Sequence, residues 1–189
     1  MSSPRSSFNA VILQTIYYHI NMTPVVSIIM GSTSDLPVMK KAADFLNSME
    51  VPFEMLALSA HRTPEEVADF ARNAAGRGVK VIIAGAGMAA ALPGVIAAIT
   101  PLPVIGVPLS ATLQGTDALY SIVQMPPAIP VATVGIDGAM NAAVLAVRIL
   151  SLADGALADR YGAWASELNG KIVKANRDLA EIKYDFKTN

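Results

Sequence analysis

Three short stretches carry most of the side chains able to do chemistry. They are Gly31-Ser32-Thr33-Ser34-Asp35, Ser59-Ala60-His61-Arg62-Thr63-Pro64 and Gly85-Ala86-Gly87-Met88-Ala89-Ala90-Ala91-Leu92-Pro93-Gly94. In the first, Ser32 and Ser34 offer hydroxyl donors and Gly31 permits an unusual backbone angle. A helix starting behind them would add free N–H groups, and together these can cradle a phosphate. Asp35 is itself an anion and suits a ribose hydroxyl. Plain helix capping by Ser34 or Asp35 accounts for the same residues. The stretch is not a Walker loop, because the lysine is missing, nor a GxGxxG fingerprint. In the second stretch, Arg62 can grip a phosphate through two N–H groups. His61, with an ordinary pKa of about 6.5, can move a proton at neutral pH. Ser59 stands beside them as a further donor. An inert surface loop is the competing reading. In the third, Gly87, Met88 and Leu92 are the candidates for substrate contact, because small residues let a flat ring lie against backbone N–H and C=O groups. Close packing of a helix on a sheet would use the same residues.

The stretches matter jointly if the fold gathers them, and the hydrophobic pattern predicts that it does. Val25–Met30 reads as a strand. Leu36–Met49 reads as a helix, with Leu36, Met39, Ala43 and Leu46 at helical spacing. Pro52–Leu58 is the second strand. Pro64–Arg77 is a helix with proline at its first position, Thr63 as N-cap and Gly78 as its stop. Val79–Ala84, Pro103–Val107 and Val131–Val134 read as further strands, and Leu92–Ile99 and Ala139–Leu152 as helices. Strands alternating with helices imply a parallel sheet with right-handed crossovers. The expected fold is α/β: a flavodoxin-like three-layer α/β/α sandwich with a five-stranded parallel sheet. Ligands in such sheets sit beyond the carboxyl ends of the strands, where all three stretches would open. Between about Ala156 and Tyr184, Leu157, Tyr161, Trp164, Leu168, Ile172, Ala175, Leu179 and Ile182 form one apolar stripe. A helix of that span is roughly 40 Å long. Part of the stripe is expected to pack on a neighbouring subunit; bending around its own domain is the alternative. The chain thus divides into an N-terminal extension at 1–22, expected to be disordered, a catalytic domain at 23–153, and a C-terminal helix at 154–189.

Composition narrows the function classes. A net charge of −1 gives no pull toward nucleic acid or an anionic membrane. The absence of cysteine excludes disulfides, thiolate catalysis and cysteine-held metal. Two histidines, His19 and His61, are too few for a histidine-rich metal site. Charged residues make up 15% against 53% hydrophobic, where an ordinary domain carries about 25% charged. From Val81 to Ile136 the only charged side chain is Asp117. That stretch is long enough to span a membrane, which takes roughly 20 apolar residues. Pro93, Pro101, Pro103 and Pro108 interrupt it, so a buried sheet with subunit contacts is the better reading. The extension has Arg5 but no unbroken apolar core and makes a poor signal peptide. A cytoplasmic homo-oligomer is expected.

Taken together, MGSTSD, SAHRTP and AGAGMAAALPG, followed by PVIGVP, SIVQMP, IPVAT and NAA, resemble the N5-carboxyaminoimidazole ribonucleotide mutases from about Val25 to Leu150. SAHRTP and QMP look like the mutase class rather than the related carboxylases that use free carbon dioxide, in which the arginine position usually reads as lysine. The resemblance implies a flavodoxin-like fold, an octamer with active sites at subunit junctions, and neither metal nor organic cofactor. It implies an isomerase of purine biosynthesis, grouped with lyases, that moves a carboxylate from the exocyclic N5 to ring carbon C4 of a phosphorylated ribonucleotide. By position, Ser32, Asp35 and Arg62 would hold the ribose phosphate and His61 would be the proton shuttle. Two departures stand out. Many members read GGAAHLPG in the third stretch, whereas here the second glycine is Met88 and the histidine is Ala91. The alternatives are a carboxylase acting on free carbon dioxide and aminoimidazole ribonucleotide, and a nucleotide-binding module without catalysis. A flavin-binding flavodoxin fits less well, because the first loop lacks a longer Ser/Thr-rich phosphate segment.

Overall fold

The computed structural model describes residues 22–189. His19 and residues 1–21 of the extension expected to be disordered lie outside them. The strands are β1 (Val26–Met30), β2 (Phe53–Ala57), β3 (Val81–Gly87), β4 (Val104–Leu109) and β5 (Ala132–Thr133). They form one sheet in the order β2-β1-β3-β4-β5, and every pairing is parallel. The helices are α1 (Leu36–Ser48), α2 (Pro64–Asn73), α3 (Leu92–Ile99), α4 (Thr116–Val123), α5 (Ala139–Ser151) and α6 (Gly155–Glu181). The flavodoxin-like sandwich expected from the sequence is the fold observed.

A parallel strand covered on both faces reads as a continuous apolar run, and VSIIM, VIIAGAG and VIGVPL are such runs. Alternate side chains serve opposite layers. Ile28, Met30, Ile83 and Val107 pack with Met39 and Leu46 of α1, Ala143 and Val147 of α5 and Leu157 of α6. Ile29, Ile82 and Val104 pack with Val67 and Phe70 of α2, Ile96 of α3 and Ile122 of α4. A partly exposed ion pair braces the edge of the sheet. The fully buried Ser27 donates to Glu54 Oε1 at 2.6 Å. Arg77 donates to both Glu54 oxygens, at 2.9 and 2.6 Å, with its guanidinium 5.5 Å over the Phe70 ring. The Arg77 hydrogen bond holds the Glu54 carboxyl below the usual glutamate range.

Several boundaries differ from expectation. β3 begins at Val81 and runs on through Gly87, because Ala86 and Gly87 pair with Pro108 and Leu109 of β4. Gly85 is therefore sheet, not loop. A Cβ there would lie 2.4 Å from Met39 Sδ, so at this position close packing is what demands glycine. α2 stops at Asn73, and turns carry the chain to Gly78, whose φ of +99° does suit glycine. α4 was not expected; it lies in the uncharged stretch, behind Leu113, Gln114 and Gly115, all at positive φ. Leu36, placed on the apolar face of α1, is exposed.

α6 starts under a cap in which Asp154 accepts from Leu157 N at 3.0 Å. Leu157 is buried, and Trp164 meets the Phe45 ring edge-on at 4.9 Å. Past this point Leu168, Ile172, Val173 and Leu179 are exposed. The helix runs clear of its own domain rather than bending around it. Among the described residues, no helix is long and apolar enough to cross a membrane.

Candidate active site

β1, β2 and β3 run parallel and end on one edge of the sheet, so the loops behind them converge. They enclose a cavity of about 580 Å³. Ser32, Ser34 and Asp35 line it from the first loop, Ser59, His61 and Arg62 from the second, and Gly87, Met88 and Leu92 from the third. Ala91, one of the two departures noted in the sequence, lines it too, and so does Ala111 from the loop after β4. Ala111 went unread in the sequence. A single alanine outside any motif carries no signal, and only the β3–β4 pairing brings it to the cavity.

The first loop is organised by its own hydrogen bonds. Ser32 Oγ accepts from Ser34 N at 3.3 Å, and Asp35 Oδ2 accepts from Ser32 N at 3.0 Å. This reciprocal capping box closes a short 3-10 turn at Thr33–Asp35. The capping reading therefore holds for Asp35, but the capping hydroxyl is that of Ser32 and not the Ser34 expected. The box also fixes both side chains against the cavity. Gly31 needs no unusual angle: its φ is outside the left-handed region, and a Cβ would meet only Asp35 Oδ2, at 3.8 Å. The expectation for Gly31 is corrected accordingly.

The second loop is a turn stapled by Thr63. Its Oγ1 accepts from Ser59 N at 2.9 Å and donates to Ser59 O at 3.2 Å. Thr63 stands at the N-cap position of α2, as expected, but its side chain pins the turn and makes no bond to the helix. The pinned turn presents His61 and Arg62 outward, and both are exposed. Arg62 Nη2 donates to Gly31 O at 2.6 Å and Nε to Ser59 Oγ at 3.3 Å. One guanidinium thereby ties the first loop to the second, and its remaining N–H groups are free to meet an anion.

The third loop is strained. Met88 (φ 57°) and Ala90 (φ 40°) adopt left-handed angles that ordinary residues avoid. The strain brings the chain round in time for α3 to start at Leu92, with Pro93 in its first turn. No side chain caps that helix, so its first turn directs backbone N–H groups and a partial positive charge toward the cavity wall. Among the described residues, no cluster of three or more His, Cys, Asp or Glu is placed to hold a metal. The cavity joins a cationic, hydroxyl-rich end at Ser32, Ser34, Ser59 and Arg62 to a wall of alanines, with one imidazole between the loops that build them.

Residues 25–171 match the AIR carboxylase family. The chain belongs to that family. It is 52% identical over 163 residues to the N5-carboxyaminoimidazole ribonucleotide mutase of Pyrococcus horikoshii, which covers 86% of this chain and 92% of that protein. The phosphoribosylaminoimidazole carboxylase of Candida albicans is 51% identical over 164 residues, 86% of this chain but 29% of that longer protein. A crystal structure of Treponema denticola PurE superposes with a TM-score of 0.75 at 32% identity, covering 82% of this chain and 98% of that one. The AIR carboxylase family match spans all three cavity loops and ends within α6.

Proposed function

We propose that the chain is an N5-carboxyaminoimidazole ribonucleotide mutase acting in purine biosynthesis. The observation that carries this reading is the convergence of His61, the Arg62-bridged serine loops and an alanine wall on one cavity, in a chain so close to a protein of that name. Arg62, with the hydroxyls of Ser32, Ser34 and Ser59, takes the ribose phosphate. Asp35, already fixed by Ser32 N, takes a ribose hydroxyl. Gly87, Met88 and Leu92 lie along the imidazole ring.

His61 first protonates the carbamate nitrogen, which makes it a leaving group. The N5–carboxyl bond breaks and carbon dioxide is freed within the cavity. The electron-rich C4 attacks that molecule and forms the new carbon–carbon bond. His61, now neutral, removes the C4 proton and is ready for the next cycle. One imidazole suffices because the proton given is the proton recovered. The wall of alanines offers the carbon dioxide no polar side chain and holds it beside C4. The reaction is an isomerisation; its two halves are a decarboxylation and a carboxylation, the sense in which lyase also describes it.

We further place the enzyme in the cytoplasm as a homo-oligomer, an octamer by family resemblance. The apolar half of α6 past Trp164, exposed in the single chain, is the surface that fits a neighbouring subunit. A carboxylase reading retains one support, the similarity to the Candida albicans carboxylase. Incubation with each substrate in turn separates the two. Product from the N5-carboxylated ribonucleotide alone upholds the mutase. Product only from aminoimidazole ribonucleotide with bicarbonate overturns it.

A further inference from the structure

The loop between β4 and α4, residues 110–115, belongs to none of the motifs that define the cavity, yet it closes one side of it. Ala111 lines the cavity. A Cβ on Gly87 would sit 3.0 Å from the Ala111 methyl, so the ends of β3 and β4 touch there with no space between. The loop is held in an improbable shape. Leu113, Gln114 and Gly115 take positive φ in succession, at 43°, 55° and 83°, and such runs persist only where the surroundings enforce them. Leu113 is 74% exposed, so its own packing does not enforce it.

Two carboxylates do. On one side of Ala111, Asp137 Oδ1 accepts from Ser110 N at 3.0 Å, while Asp137 N donates to Pro108 O at 2.8 Å. On the other side, the Thr112 hydroxyl donates to Asp117 Oδ2, and Asp117 Oδ1 accepts from Ala118 N at 2.8 Å. Thr116 Oγ1 donates to Leu113 O at 2.7 Å, and Gly115 packs so closely that a Cβ would lie 2.7 Å from Ile136. Asp117 is the only charged side chain between Val81 and Ile136. A lone charge in so apolar a stretch calls for a role, and its carboxylate joins the first turn of α4 at Ala118 to the loop at Thr112.

We propose that Asp117 and Asp137 are positioning residues that clamp the loop after β4, so that Ala111 stands as the fourth wall of the cavity and retains the carbon dioxide freed there. This rests on the mutase reading. Neither carboxylate touches substrate. Each acts through the backbone and hydroxyl that flank Ala111.

The test follows the carbon. The enzyme turns over N5-carboxyaminoimidazole ribonucleotide in buffer containing ¹³C-bicarbonate, and the ¹³C content of the product carboxyl is measured by mass spectrometry. The wild type should keep the substrate's own carbon. Asp117→Ala should raise medium label in the product about fivefold, the factor that one net hydrogen bond is worth. Asp117→Asn, which keeps an acceptor for Thr112, should restore retention. Ala111→Gly, which removes the wall methyl and leaves the clamp, should leak as well. Loss of folded protein alone would lower the rate but not the label per product. Wild-type label content in Asp117→Ala would overturn the clamp, and in Ala111→Gly the wall. If Asp117→Ala does not fold, Thr112→Val, which removes the hydroxyl that Asp117 holds, decides the clamp by the same criterion. Medium label throughout the wild-type product would overturn carbon dioxide retention and the mutase reading together; low label in the wild type with unchanged variants overturns the clamp alone.

Discussion

His61 and Arg62 share one pinned turn but carry separable duties. In the proposed mechanism His61 supplies proton transfer, so His61→Asn should lower kcat by about a hundredfold or more and leave ligand affinity in place, checked by steady-state kinetics with calorimetric binding. A rate near that of the wild type would remove the shuttle from His61. Arg62→Ala should chiefly weaken binding, raising Kd by about tenfold to a hundredfold as charge-assisted hydrogen bonds are lost. It also cuts the tie to Gly31 O, so some loss of kcat through loop misplacement is expected. Unchanged affinity would contradict the phosphate contact. The place of both residues on the cavity was legible because they follow a predicted strand at the mouth of a parallel sheet, beside Ser59 and opposite a second candidate anion loop. The strained angles at Met88 and Ala90 were not legible: non-glycine residues give no notice that the chain will force them left-handed. Gly31 gave notice of a freedom that the chain does not use.

At the scale of elements, the braces under the loops should be measurable as stability. Glu54 is held below its ordinary value near 4.5, chiefly by the Arg77 hydrogen bond. A lowered carboxyl pKa contributes stability that is complete above the unfolded value and lost as pH falls through the native one. Arg77→Met should therefore cost about 1 kcal/mol at pH 7, the pair being partly exposed. The gap to wild type should close in acid, as pH falls from the ordinary glutamate value through the lowered native one; urea titrations at neutral and acid pH check it. An equal gap at both would assign the effect to packing on Phe70 instead. At Gly106, in the middle of β4, a Cβ would lie 2.4 Å from Ile122 and 2.9 Å from Val131. Gly106→Ala should cost about 1–3 kcal/mol by overpacking, read from thermal unfolding. The strands and most helices were readable because buried parallel strands leave unbroken apolar runs and α1, α2 and α5 alternate. α4 was not, since Leu119, Tyr120, Ile122 and Val123 sit in a stretch with almost no polar contrast to mark a helical face. The overrun of β3 through Gly87 depends on pairing with a strand seventeen residues further along the chain, which no local pattern encodes.

The whole molecule poses the question of what α6 is for. Its first turns are anchored through Leu157, Tyr161 and Trp164, and the rest projects with an apolar stripe toward solvent. Ending the chain after Ala165 preserves those anchors. That truncation should stay folded by circular dichroism but form a smaller assembly by light scattering; an unaltered mass would contradict subunit contact through the stripe. The sequence announced this stripe plainly by its three-and-four spacing, but the parting of ways at Trp164 depends on where Phe45 lies in space. The central claim remains the carboxyl shift itself. Purified protein should convert freshly made N5-carboxyaminoimidazole ribonucleotide to the C4-carboxylated product with no bicarbonate added, and His61→Asn should slow that conversion by about a hundredfold or more. Absence of product from a protein that binds the ribonucleotide would contradict the account.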